Sequence, residues 1–145
     1  MKFSILIPET SFGLFKNRLG HEFVQIQDIV NECDISNKLL LEQILGQLYD
    51  QVWRKTRMKD NVHILVSNTI DIFMAIRSKE LSANEINSII NFGSIKEFKR
   101  KILNPLISLG YIEMTLPDKP RSSKQSYRLT EVGRGLFDAV EVSNL

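Results

Sequence analysis

Between Ser94 and Arg128 the chain places eight basic residues, Lys96, Lys99, Arg100, Lys101, Lys119, Arg121, Lys124 and Arg128. Three acids share that stretch: Glu97, Glu113 and Asp118. The local balance is +5, and the remaining sequence, with 11 basic and 14 acidic groups, carries −3. The whole chain is only +2, so the signal lies in the segregation and not in the total. Clustered ammonium and guanidinium groups suit the neutralisation of phosphates. If Ile95, Phe98 and Ile102 face a core, helical spacing turns Lys96, Lys99 and Arg100 outward. There the lysines would contact phosphate, and Arg100 could reach a guanine edge. Arg121 and Lys124 follow Pro117 and Pro120 in a loop whose prolines lower its ordering cost on binding. A merely solvated charged face is the competing reading of the same residues.

Other chemistries are poorly served. His21 and His63 are the only histidines, and neither is followed by a second metal-binding residue at i+3 or i+4. With Cys33 as the single cysteine, an intrachain disulfide is excluded and a zinc site of the usual Cys/His kind is poorly supplied with ligands. The seven glycines are scattered, with no following Lys-Ser/Thr of a phosphate-cradling loop. Cys33 as a nucleophile would need a histidine brought near by folding, and a structural thiol is the simpler reading. These residues imply no enzyme, no cofactor and no metal.

The elements that must position the basic residues are legible mainly in the second half. Asn68 or Thr69 can cap a helix bearing Ile70, Phe73, Met74 and Ile76. Ser82-Ala83-Asn84-Glu85 and Ser94-Ile95-Lys96-Glu97 have the form of capping boxes, in which serine and glutamate satisfy each other's backbone amides. Between the two helices they start, Asn91-Phe92-Gly93 makes a tight stop, with Gly93 available for positive φ. Ile95, Phe98, Ile102, Leu106 and Leu109 continue the second stripe. Asn104-Pro105 predicts a kink or a fresh turn there. Ile112, Met114 and Leu116 alternate with polar neighbours, as do Tyr127 and Leu129, and residues 117–123 between them read as a loop. Thr130 can cap a last helix with Val132, Leu136, Phe137 and Val140. Tyr111, Tyr127 and Phe137 read as core aromatics.

The first half is less decided. Lys2–Ile7 suits a short strand, and Ser11–Leu19 a short helix ended by Gly20. Phe23, Ile26, Ile29 and Val30 have helical spacing. Asp34 or Ser36 can cap a further helix, running from about Asn37 to Arg54, with a stripe of Leu41, Leu45, Leu48 and Val52. The basic run Trp53–Lys59 either finishes that helix or opens a hairpin whose returning strand is Val62–Val66. In the second case residues 24–66 would be a degenerate second winged helix. A boundary falls near Lys59–Asn61.

The stretch from Lys101 to Thr130, with Leu103-Asn104-Pro105-Leu106-Ile107, Gly110 and Ile112-Glu113-Met114-Thr115-Leu116-Pro117-Asp118-Lys119-Pro120-Arg121-Ser122, resembles the C-terminal winged-helix module of Fic-like proteins. The same module ends bacterial regulators described as RecG-like or Schlafen-like ATP-binding proteins. The resemblance covers residues 69–138 and implies a module that binds DNA or a partner domain. It does not extend to adenylyl transfer: neither His21-Glu22-Phe23 nor His63-Ile64-Leu65 continues into the Fic histidine motif.

The chain therefore reads as α+β, with a mainly helical region over residues 1–60 and a winged helix-turn-helix over 61–145. The expected function is binding of double-stranded DNA, as a transcriptional regulator, through Lys96, Lys99, Arg100, Arg121 and Lys124. A protein-interaction module, or a detached partner of a larger Fic-like regulator, is the alternative. The leucine stripe suggests a homodimer if it stays exposed. No run of 18 apolar residues and no secretory leader pattern is present, which points to the cytoplasm.

Overall fold

Asn37 ends one local structure and begins another. Its side-chain oxygen accepts from the amide of Leu40 at 3.1 Å, which caps helix α2 (Lys38–Gln51). Its own amide donates to the carbonyl of Leu136 at 2.9 Å, tying the C-terminal segment to the helix start. Asn37 and not Asp34 or Ser36 thus provides the cap. The structure, a computed structural model, describes residues 21–55 and 61–138. The proposed strand Lys2–Ile7, the helix Ser11–Leu19 and the end of the basic run lie outside them, as does Val140. The chain divides into two units, residues 64–134 and the remainder.

In the first unit, α1 (His21–Glu32) precedes α2, and a 3₁₀ turn, Trp53–Lys55, follows it. Lys38 closes the end of α1: its ammonium donates to the carbonyls of Val30 and Cys33 at 2.7 and 2.6 Å. A cation at the carbonyl end of a helix answers both its orphan acceptors and its dipole. Cys33 is part of the same closure, with its thiol donating to Val30 at 3.2 Å. Leu41, Leu45 and Leu48 are fully buried in the chain and Val52 half-buried. The seam on which the homodimer was expected is spent internally.

Helix α3 (Val62–Ala75), all but its first two residues in the second unit, begins six residues before Asn68 and seven before Thr69, the two expected caps. Val62–Val66 is its first turns and not a returning strand, which removes the wing of a second winged helix from the first half. Thr69 caps nothing; it is buried inside α3, and its hydroxyl donates to the carbonyl of Leu65 at 2.7 Å. Ile70, Ile72 and Phe73 are buried on this helix, and Ile76 is buried just after its end. Leu81 then forms an antiparallel bridge with Tyr127.

Helix α4 (Ala83–Ile90) opens with the complete capping box of Ser82 and Glu85. Asn91 and Gly93 both take positive φ in the turn that follows, so the stop is made by two residues and not by the glycine alone. The Asn87 side chain spans this turn, donating to the Gly93 carbonyl at 2.8 Å.

The next helix is continuous but not uniform. It runs as α5 (Ile95–Phe98), a π-helical turn (Lys99–Leu103) and α6 (Asn104–Ser108). Where a kink or a fresh turn was expected at Pro105, a new α-helical segment starts one residue earlier, with the proline in its first turn. In an α-helical register its ring would press on the Lys101 carbonyl and no amide would answer that carbonyl. The wider turn accommodates this: Asn104 donates five residues back, to Lys99. Phe98, Ile102, Leu103 and Leu106 remain fully buried through the change.

Gly110, at φ 89, ends the helix. Strands β1 (Ile112–Met114) and β2 (Tyr127–Leu129) pair antiparallel, with Ile112 opposite Leu129 and Met114 opposite Tyr127. Tyr111 and Tyr127 are buried, as core aromatics should be. Thr130 accepts from the Gly133 amide at 3.0 Å and starts α7 (Glu131–Arg134). A 3₁₀ turn, Gly135–Phe137, follows. The last helix is thus shorter than its stripe suggested, with Val132 exposed. The fold is mixed, mostly helical with a small antiparallel sheet.

Candidate functional site

The basic residues occupy two carriers in the second unit. The first is the helix started by Ser94, whose hydroxyl accepts from the Glu97 amide at 3.1 Å. Only half of this second capping box forms, because the Glu97 carboxylate turns the other way. It receives Arg100 at 2.7 Å and Lys101 at 3.4 Å. The hydrogen bond from Arg100 holds the Glu97 carboxyl below its ordinary pKa, and the same bond raises the Arg100 guanidinium. Lys96 and Arg100 are exposed and Lys99 half-buried, so the helix presents the outward face expected of it. Arg100, however, already has a carboxylate partner, and a base edge would have to displace Glu97.

The second carrier is the loop between β1 and β2. Thr115 donates its amide to the Ser126 carbonyl at 2.9 Å, extending the ladder by one rung. The next rung is made by a side chain. The Gln125 amide accepts from the Leu116 N–H at 2.9 Å and donates to the Leu116 carbonyl at 2.6 Å. It also donates to the Lys119 carbonyl at 3.1 Å. A glutamine here does the work of a strand residue and clasps the loop shut. Turn bonds from Lys119 to Leu116, Ser122 to Lys119 and Gln125 to Ser122 order the rest. Beyond the clasp, Lys119, Arg121 and Lys124 are exposed.

Gln125 was not among the expected site residues. A single polar residue before a strand carries no periodic signal. Replacing Gln125 by alanine should leave the Leu116 amide without a partner and destabilise the unit by about 1–3 kcal/mol. Hydrogen exchange at Leu116 should accelerate more than at Ile112, and unchanged protection at Leu116 would contradict the clasp.

The carriers meet at a cleft of about 150 Å³. Lys99 stands in its wall with Ile95, and Arg121 with Pro120, Ser122 and Ser123; Ser82, Ala83 and Asn84 close it from the start of α4. Of the five expected residues, Lys99 and Arg121 are thus brought to one place. Lys96, Arg100 and Lys124 do not line it. Among the described residues Lys96, Lys99, Arg121 and Lys124 have no acidic partner. Arg128, by contrast, is compensated twice, by Glu113 at 2.7 Å and Glu80 at 3.3 Å. Of the +5 counted along the sequence, the uncompensated part therefore lies on the helix and on the loop.

No group of His, Cys, Asp and Glu among the described residues could hold a metal. Among them no helix is long and apolar enough to cross a membrane.

Comparison with known proteins agrees with part of this picture. Residues 68–130 match the model of the C-terminal domain of Filamentation induced by cAMP protein Fic-like proteins. The matched segment runs from within α3 to the end of the sheet and contains the cleft. No curated protein and no solved structure matches the chain. The match supports the Fic-like part of the resemblance and suggests a regulatory or interaction module. It lends nothing to a likeness with RecG-like or Schlafen-like regulators.

Proposed function

We propose that the second unit is a winged helix-turn-helix that binds double-stranded DNA in a regulatory role, with α5 and the π-helical turn as recognition helix and residues 115–126 as the wing. The element order supports this reading: helix, Leu81 bridge, helix, helix, strand, loop, strand. The observation that carries it is the uncompensated charge on both carriers, meeting where Lys99 and Arg121 line one cleft. A helix laid in a major groove brings such cations against the phosphates that border it. Lys96, Lys99, Arg121 and Lys124 make the phosphate contacts. Arg100 is the base-reading candidate and acts by exchanging Glu97 for a guanine edge.

Fluorescence anisotropy with a labelled random duplex at low salt tests the proposal. Saturable binding that weakens as salt rises is the expected result. No binding to any duplex would reject it and favour recognition of a protein partner, the reading that a regulatory or interaction module also allows.

The proposed activity is binding alone. Incubation with labelled ATP and bulk protein targets should therefore transfer no label. Label that appears reproducibly, and vanishes on substitution of His63, would overturn this.

A further inference from the structure

The cleft between the helix and the loop has the composition of an anion seat. It is lined by Lys99 and Arg121, neither of which has an acidic partner among the described residues. Its third side is the first turn of α4. There the capping box uses the Ser82 and Glu85 amides, which leaves those of Ala83 and Asn84 without a hydrogen-bond partner. Free amides and the positive end of the dipole face an anion at such a place. The buried wall supplies an independent sign. Tyr127 lines the cleft and is only 5% exposed, and its hydroxyl has no hydrogen-bond partner among the described residues. Among the described residues only Asn87 Oδ1 is a fully buried polar side-chain atom without a partner, so the Tyr127 hydroxyl keeps access to solvent and is available to donate to a ligand.

Size narrows the ligand. Pockets that enclose whole small molecules run to roughly 300–1,000 Å³. At about 150 Å³ this cleft takes one tetrahedral oxyanion and leaves whatever is attached to it outside. A second hollow of about 200 Å³ near Arg77 and Lys79 includes Arg128, whose charge Glu80 and Glu113 already answer. The two hollows therefore differ in unspent charge.

We infer that the cleft formed by Ser82–Asn84, Lys99, Arg121 and Tyr127 binds a single phosphate group. This rests on the DNA-binding reading for one of its two sources, a phosphodiester of the duplex backbone; a free phosphorylated molecule is the other. Lys99 and Arg121 supply charge, the Ala83 and Asn84 amides supply direction, and the Tyr127 hydroxyl donates from the buried side.

Amide and side-chain NMR of the full chain separates the sources. The probes are inorganic phosphate and, separately, a short duplex, each added to the parent and to Lys99→Gln, Arg121→Gln, Tyr127→Phe and Lys79→Gln. The amide spectrum itself reports that each variant is folded. Inorganic phosphate should shift the Ala83 and Asn84 amides saturably. Lys99→Gln or Arg121→Gln should weaken that binding roughly tenfold or more, as loss of a charged hydrogen bond does. Tyr127→Phe should weaken it by a smaller factor, and Lys79→Gln, at the other hollow, should leave it unchanged. If the duplex shifts the same amides, the phosphate is backbone phosphate. If phosphate shifts them but no duplex binds, the anion seat stands and the DNA reading falls. If the duplex binds while Ala83 and Asn84 stay fixed with both probes, the DNA reading stands and the seat is rejected. Shifts that persist undiminished in both charge variants would reject it as well.

Discussion

Duplex affinity should fall with salt along a log–log slope of about −3.6, if Lys96, Lys99, Arg121 and Lys124 each neutralise one phosphate. The slope counts the four proposed contacts, none of which has an acidic partner among the described residues. Lys101 is not counted, because Glu97 already holds it at 3.4 Å. Removing Lys99 alone should flatten the slope by about one unit on any sequence. Alanine at Lys96, Lys99, Arg100, Arg121 and Lys124 together should weaken binding by roughly a hundredfold or more at low salt. Circular dichroism must show that variant folded, which the exposure of four of the five positions makes the expected outcome.

Glu97 gives the sharpest arm of that experiment. Glu97→Gln removes a negative charge from the proposed interface and releases Arg100. The duplex should then bind several-fold tighter, and Arg100 should read its base pair with a discrimination of about 1–3 kcal/mol if it is bidentate to guanine. Binding that is indifferent to Glu97, to salt and to the five alanines together would remove the helix and loop from any role in DNA recognition.

Gly133→Ala should be strongly destabilising, although helix propensity alone argues for the opposite sign. Alanine in a helix interior is favoured over glycine by about 1 kcal/mol. Here an added Cβ would fall well inside contact distance of the Tyr111 carbonyl oxygen, with Leu129 Cδ2 at 3.3 Å on another side. That carbonyl accepts from the Thr130 amide at 3.1 Å and is fixed backbone. Overpacking against backbone costs about 1–3 kcal/mol or more, against the propensity gain. A chain of this length should lose roughly 5–10 °C in Tm. Gly135→Ala is the control, because its nearest neighbour, Leu40 Cδ2, lies at an ordinary 3.5 Å. If Gly133→Ala melts no lower than Gly135→Ala, the close approach of α7 to Tyr111 is wrong.

What the sequence disclosed and what it hid have physical causes. The Ser82–Glu85 box and the β1–β2 ladder depend on residues near one another in the chain, and both were legible. The start of α3 was not. Val62–Val66 is a short apolar run without a polar cap, and such a run fits a strand or a buried helix equally well. Only the tertiary burial of Val62, Leu65 and Val66 decides for the helix. The π-helical turn was hidden for a related reason. Pro105 announces a conflict, but the register that resolves it depends on keeping Phe98, Ile102, Leu103 and Leu106 inside. The leucine stripe of α2 was read correctly as apolar, and its destination could not be read, since an internal core and an external seam have the same spacing. The outward lysines were legible from helical period alone. That Lys99 and Arg121 share a cleft was not, because they sit on different elements.

The Gln125 clasp divides the loop into a part that holds and a part that is held. Leu116 and Gln125 fix the base of this loop through one side chain, and the residues outside it contribute little to the core. Mutations at Lys119, Arg121, Ser123 or Lys124 can therefore accumulate without a folding penalty, while a change at Gln125 is felt at once. In a lineage of such chains the tip is free to drift toward new partners, and the glutamine is the hinge pin that lets it do so. Exchange of residues 117–124 between related chains offers a route to altered recognition on an unaltered fold.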